Sequence, residues 1–455
     1  HRHRARFGCL DLQTGASAHG RDLARAGLAA ALAGGSVAAG HRRSDRARAQ
    51  ALLLPAVRPP DDPAVASALE DLRQTRYALR EAELAGRPAA ALRGRAETLE
   101  RRIREHAWSV PGTRPDAAAT PASLSAVRAG LRGAALVAYL TDGERLRALV
   151  LTERSGTVVT LGAWQSAEEV VLRLRADLDT GAGRAMPDRL AAAVAAATRQ
   201  DSAALQAAVL DPLTPLIGDR ELVVVPTGLL MTAPWALLPA CAGRPVTVAP
   251  SATAWLAART RATTSVTGGA TASVTGGVTA SVTDRGPVLV AGPGNRRGDD
   301  EIRAIADLHP AATTLTGAAA TPAATLAAVD GAMLAHIAAH GRHAAENALF
   351  SALDLAGGPV LGYDLQRLAR PPVTVVLSSC EVGLSEVRPG DETFGMASAL
   401  LAAGTATVVA SVSRVADDAA RDVMVRFHRE ITAGRTPSRA LAVAAGGTGF
   451  VCFGA

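Results

Sequence analysis

The chain has 455 residues, enough for two or three domains with a sizeable core, and 48% are hydrophobic but only 3% aromatic, so Ala, Val and Leu must fill that core. Its 48 basic residues are all arginine and face 42 carboxylates; a net charge of +6 is mild for this size and, without basic–aromatic interleaving, argues against direct nucleic-acid contact. Cys9, Cys241, Cys380 and Cys452 are scattered with no Cys-x-x-Cys pair, which argues against a disulfide framework or a structural zinc site and for a reducing cytoplasm.

No apolar run reaches membrane-spanning length, and the alanine-rich stretch near 25–40 is broken by glycines and flanked by arginines, unlike a signal peptide. Arginine in place of all lysine, with abundant Ala, Gly and Pro, suggests a GC-rich bacterial genome. A first residue of histidine rather than methionine raises the expectation that this is a piece of a longer chain.

In chain order, residues 1–52 read as amphipathic helix, with nine arginines against three aspartates in the first fifty. The Pro-rich "PAVRPPDDP" ends it. Leu69, Leu72, Leu79 and Leu84 then form an apolar stripe, and Gly86 and Pro88 divide the segment into a helical hairpin whose second helix starts at Pro88. Residues 1–117 are therefore expected to be a helical region, a structural or partner-facing arm that could also be the end of a helical-repeat array. A second region, 118–218, opens with antiparallel strands turning at Asp142-Gly143 and Ser155-Gly156, then turns helical from about 164 to 215.

From 219 to 455 apolar strands alternate with helices: "ELVVVP", "PVTVAP", "GPVLVAG", "AMLAHIAAH", "VTVVLSSC" and "TATVVASV". That alternation implies an α/β fold, a mainly parallel sheet with helices on both faces, whose functional groups collect beyond the carboxyl ends of the strands. A three-copy Ser/Val/Thr/Gly repeat starting at Ser265, Ser273 and Ser281 interrupts it. Residues 263–285 read as a flexible surface insertion, or as a processing loop given the flanking Arg259, Arg261 and Arg285.

Two of the strands end in reactive side chains. "LAHIAAHGRH" leaves the sheet at His340 and "VTVVLSSC" at Cys380; if the two strands are parallel neighbours, imidazole and thiol emerge on one rim, with room between them for a hairpin and a helix. A thiol attacks a carbonyl well only as thiolate, and an imidazole can take its proton and return it to a leaving amine. The amides of Gly341 and Cys380 would then face the oxyanion, each donor contributing about 3 kcal/mol.

"HIAAHGRHAAENALFSALDL", "VTVVLSSCEVG", "GDETFGMASALLAAGTATVVASVSRVAD" and "FHREITAGRTPSRAL", with the upstream "ELVVVPTGLLMTAPWALLP" and "PVTVAPSATAWL", closely resemble the CHAT domain over roughly 130–447. CHAT domains are caspase-like cysteine peptidases of the clan that includes separase. The resemblance implies His340 as base, Cys380 as nucleophile, no metal or organic cofactor, and a protein substrate cleaved in bacterial stress or defence signalling, with regulation through the N-terminal helices. Where the family often has tryptophan this chain has Ser413, a departure expected to change packing or pocket shape and not the dyad.

Other readings compete. A strand-end cysteine is often a small core residue, and the fold could serve as a non-catalytic scaffold. His336 and His340 have the spacing of helical zinc ligands, but Ile337 stands where such a hydrolase needs glutamate and the surroundings are β-like. Ser378 and Ser379 lack a Gly-x-Ser-x-Gly elbow. His336 reads as a core or supporting histidine, and His343 as a loop support or substrate contact. Asp354, Asp391 and Glu392 are candidate acids for a basic substrate side chain; Asp391 and Glu392 could instead cap the helix that follows.

Overall fold

The computed structural model describes residues 26–31, 36–48, 63–109, 120–141, 144–182, 186–267, 286–295, 297–344, 348–378, 386–388 and 392–455. Cys9, Asp142-Gly143, Cys380, Asp391 and most of the repeat insertion lie outside them, as does the side chain of Glu392.

Strands β1 (Ala135–Thr141), β2 (Arg145–Leu151) and β3 (Gly156–Ala163) are antiparallel neighbours, and β1 also pairs in parallel with β4 (Leu222–Val225). They continue one large sheet rather than standing apart from it. Next come β5 (Val246–Val248), β6 (Val288–Ala291), β7 (Thr313–Leu315) and β8 (Leu334–Ala338). A separate small sheet joins β9 (Gly341–Arg342) to the hairpin β10 (Ala352–Leu355) and β11 (Gly358–Leu361). The remaining strands are β12 (Thr374–Leu377), the ribbon pair β13 (Glu386–Arg388) and β14 (Glu392–Phe394), β15 (Thr407–Ser411) and β16 (Phe450–Gly454).

Among the described residues the large sheet runs β3-β2-β1-β4-β5-β16-β15-β12-β8-β6-β7. It is two parallel blocks set back to back. β1, β4, β5 and β16 share one direction; β15, β12, β8, β6 and β7 share the other, and the antiparallel β15–β16 pair is the seam. The central segments are short and β-branched (LVVV, VLVA, TVVL) and buried on both faces, as helix-covered parallel strands must be. β7 and β16 were not evident in the sequence. β16 closes the seam although its segment, "GGTGFVCFGA", reads as a glycine-rich tail.

The helical hairpin is present as α1 (Pro63–Leu84) and α2 (Ala90–Ser109), with Pro88 two residues ahead of the second helix. It does not stand free. Val65, Leu69 and Leu72 of α1 pack with Ile103 of α2 against Phe350 and Tyr363 of the core. Three arginines on the same α1 face reach further in. Arg73 pairs with Asp364 at 3.0 Å, Arg76 donates to the Phe350 carbonyl at 2.7 Å, and Arg80 pairs with Asp354 at 3.2 Å. Upstream, a helix Val37–Ala47 carries Asp45, whose carboxylate accepts from the Ala252 and Thr253 amides at 2.8 and 3.1 Å, while Arg48 donates to the Val225 carbonyl at 2.8 Å. These bonds satisfy groups at a helix N-terminus and a strand end that would otherwise be buried unpaired.

Since Leu72 is fully buried at the arm–core contact, Leu72→Ala should lower stability by about 2–5 kcal/mol through lost burial and the cavity left behind. A denaturant melt of the whole chain checks this. A loss under about 1 kcal/mol would mean that the arm contact adds little to the fold.

Candidate functional site

β8 and β12 are adjacent and parallel, with Ile337 beside Leu377, and the ladder continues one residue further where the Ser378 amide donates to the Ile337 carbonyl at 3.0 Å. His340 leaves β8 two residues past its end. On its other side the β6–β8 ladder is extended by the Gly292 amide donating to Ala338 O at 2.8 Å. A Cβ on Gly292 would lie 2.4 Å from the Asp354 carbonyl and 2.6 Å from Ala339 Cβ, so only glycine lets this loop sit so close.

The loop matters because it holds the imidazole. His340 Nε2 is 2.9 Å from the Gly294 carbonyl, and a carbonyl can only accept, so Nε2 carries the proton and Nδ1 is left with the lone pair. Gly294 itself is in the left-handed region, at φ +81°, with the Arg80 guanidinium packed against it. Arg80 also donates to the Pro293 carbonyl at 2.9 Å. An arginine of the N-terminal arm thus braces the loop that orients His340.

A small recess at this rim is lined by Ala339, His340, Ser378, Asn295, Glu301 and Asp417. Ser378, the last described residue before Cys380, is buried, and its hydroxyl has no hydrogen-bond partner among the described residues. Glu301 and Asp417 were not singled out in the sequence. Both lie in the first turns of helices (Gly298–Ala306 and Asp417–Thr432), where negative charge is favoured, and that is the one signal that could have found them.

The other expected site residues lie as follows. Gly341 opens β9 opposite Leu353. Asp354 is nearly buried and its carboxylate is engaged by two guanidiniums, Arg80 at 3.2 Å and Arg342 at 3.0 Å; it does not line the recess. The helix after Glu392 starts at Met396, with Gly395 as its N-cap residue and no side-chain cap bond from it. His343 is half-buried three residues beyond His340. Ser413 is buried, its amide donating to Ser411 Oγ at 3.3 Å, with Gly449 packed against its hydroxyl. Among the described residues no His/Cys/Asp/Glu group could hold a metal ion, and no helix is long and apolar enough to cross a membrane.

His336 is a core residue, and it is also a link in a chain. Its Nε2 lies 2.8 Å from Glu301 Oε1, its Nδ1 2.9 Å from His428 Nε2, and His428 Nδ1 2.9 Å from His309 Nε2. His336, His428 and Glu301 are buried, and His309 is half-buried. Burial, reinforced by the neighbouring imidazoles, holds the His428 pKa well below the ordinary histidine value and lowers that of His309.

Two of the other thiols are chemically quiet. Burial pushes the Cys241 and Cys452 pKa values up to about 12. A thiol with a raised pKa is nucleophilic only above it, so at pH ~7 about one molecule in 10⁵ carries thiolate at either position. Iodoacetamide at neutral pH should therefore leave Cys241 and Cys452 unmodified until the chain unfolds, which peptide mapping by mass spectrometry will read.

A comparison with curated protein sequences gives no match. Among solved structures, two crystal structures of the Saccharomyces cerevisiae separase–securin complex are similar, with TM-scores of 0.53 and 0.51, each at 10% identity over 72% of this chain and 30% of the other. The Arg-specific cysteine proteinase gingipain R is a more distant neighbour, with a TM-score of 0.33 and 13% identity over 63% of this chain and 75% of its own. This chain thus spans about a third of the separase chains it matches, and the likeness is one of fold. A family model described as the CHAT domain matches residues 199–447, which take in β4 to β15, the His340 rim and both acid-bearing helices. That match covers more than half of the sequence, and the chain belongs to the CHAT domain family.

Proposed function

We propose that this chain is a cysteine endopeptidase in which Cys380 is the nucleophile and His340 the base, acting on a partner protein. The observation that carries this reading is the pairing of β8 with β12: the strand leading to His340 and the strand leading to Cys380 are hydrogen-bonded neighbours in parallel register, and Ser378 shares a recess with His340. His340 Nδ1 takes the thiol proton, and the sulfur attacks the scissile carbonyl carbon. The amides of Gly341 and Cys380 stabilise the oxyanion. The imidazolium returns its proton to the leaving amine, and water, deprotonated at the same Nδ1, hydrolyses the thioester. The bond from Nε2–H to the Gly294 carbonyl serves this cycle by fixing the tautomer.

Cleavage after a basic residue is part of the proposal. Asp417 is the carboxylate on the recess wall best suited to a guanidinium, since Asp354 already has two; Asp391 and Glu392 are alternatives. The setting is a reducing bacterial cytoplasm, in stress or defence signalling, with a regulatory protein acting through the N-terminal helices. No metal or cofactor takes part.

A fluorogenic peptide library tests both statements. Turnover confined to peptides with Arg or Lys before the scissile bond, lost in Cys380→Ala, is the expected result. Cleavage only after apolar or acidic residues would remove the specificity, and no cleavage with any peptide or partner would favour a scaffold. Iodoacetamide adds a second readout: labelling at Cys380 should outpace that at Cys9 and fall in His340→Ala.

A further inference from the structure

Glu301, His336, His428 and His309 form an unbroken line of hydrogen bonds with nothing between the links. The line begins at the recess, whose wall includes Glu301, and runs between the sheet and the two helices that carry Glu301 and His428. It ends at the half-buried His309. Its surroundings are apolar: Ile302, Ile305, Val376 and Phe427 pack around it, and the Phe427 ring stands edge-on to His428 at 5.5 Å. Among the described residues, the charged and titratable groups that share the recess with Glu301 are His340 and Asp417.

With Glu301 as a carboxylate and all three imidazoles singly protonated, the carboxylate can only accept, and every proton in the line is then fixed. His336 must donate from Nε2, so its Nδ1 accepts from His428 Nε2, and His428 Nδ1 accepts from His309 Nε2. His309 Nδ1 is left with a lone pair at the outer end. In that arrangement the line carries a single negative charge, on Glu301 at the recess.

We propose that this line is a proton path that sets the charge of the recess wall from the far end of the sheet. A proton arriving from water binds His309 Nδ1, and the Nε2 proton of His309 passes to His428 Nδ1. The Nε2 proton of His428 then passes to His336 Nδ1, and that of His336 to Glu301 Oε1. One proton is taken up and no imidazole ends charged. Every hydrogen bond survives with its direction reversed, and Glu301 becomes a neutral acid facing His340 and Asp417. The recess wall thereby loses the charge of Glu301.

The path predicts a spectroscopic signature separate from cleavage, so the test uses the Cys380→Ala chain. Its imidazole nitrogens are followed by ¹⁵N NMR from neutral pH down to the lowest pH at which the chain stays folded. At the upper end His336 and His428 should carry their proton on Nε2; at the lower end they should carry it on Nδ1, each still singly protonated. Glu301→Gln should abolish the reversal, and His309→Phe should abolish or slow it at least tenfold. A doubly protonated His428, no change of tautomer across the interval, or an unaltered reversal in His309→Phe would each overturn the path. If either variant fails to fold, the titration of the Cys380→Ala chain alone decides. No peptide cleavage by the chain that retains Cys380, with the reversal intact in Cys380→Ala, would sink the peptidase reading and leave this one standing.

Discussion

Cys380→Ala should abolish peptide cleavage, and His340→Ala should reduce kcat/KM by at least about 10³-fold, because without an imidazole the thiol stays protonated and the leaving amine receives no proton. The two losses should not add. A Cys380→Ala/His340→Ala chain should be no worse than Cys380→Ala alone, since base and nucleophile act as a unit. Removal of the base differs from removal of the nucleophile in one respect. In His340→Ala the residual rate should rise with pH towards the ordinary thiol pKa near 8.5, as solvent takes over the deprotonation that His340 supplied at neutral pH. The measurement is the pH profile of kcat/KM for the intact chain and for His340→Ala. If His340→Ala cleaves at the original rate with the original profile, His340 is not the base, and the proposal fails there.

The sequence carried the parts of this architecture that are local. Runs such as LVVV, VLVA and TVVL are apolar and rich in valine over a strand's length, so the central strands were legible, as was the α1–α2 hairpin from its leucine stripe. Alternation of strand and helix gave β8 and β12 as parallel strands, while their adjacency was only a condition of the dyad reading. What could not be read is what depends on long-range order. β16 lies between β5 and β15, joining two parallel blocks, and nothing in its own composition states which strands it meets. His428 follows Met424 on a buried helical stripe, a polar residue in an apolar row, yet its partners are 92 and 119 residues away. Likewise Gly294 reads as a turn residue; only the fold brings its carbonyl to His340, 46 residues on. Asp354 looks like a free acid in sequence because the guanidinium of Arg80 comes from the distant arm.

That arm contact supports the second large effect. Arg80 bridges Asp354 and the Pro293 carbonyl, and the loop they hold, Gly292 to Asn295, supplies the carbonyl that orients His340. Arg80→Ala leaves the nearly buried Asp354 with Arg342 as its guanidinium partner and unties the loop from the arm. Because Arg80 is itself partly exposed, at 19% of its side chain, the full cost of breaking a buried pair does not apply, and about 2 kcal/mol of stability is expected to go. The larger effect should fall on kcat, by about ten- to a hundredfold, since a shift of an ångström in the imidazole is enough to spoil proton transfer. KM should barely move, because Arg80 does not line the recess. Arg80→Lys should recover only part of the loss: an ammonium keeps the charge but lacks the planar fork that spans a carboxylate and a carbonyl at once. Asp354→Asn provides the control. It should weaken stability by a similar amount while leaving the preferred residue before the scissile bond unchanged, because this carboxylate is already engaged by Arg80 and Arg342. A changed preference in Asp354→Asn would return Asp354 to the substrate pocket, and an Arg80→Ala chain with undiminished kcat would show that His340 is oriented without help from the N-terminal helices.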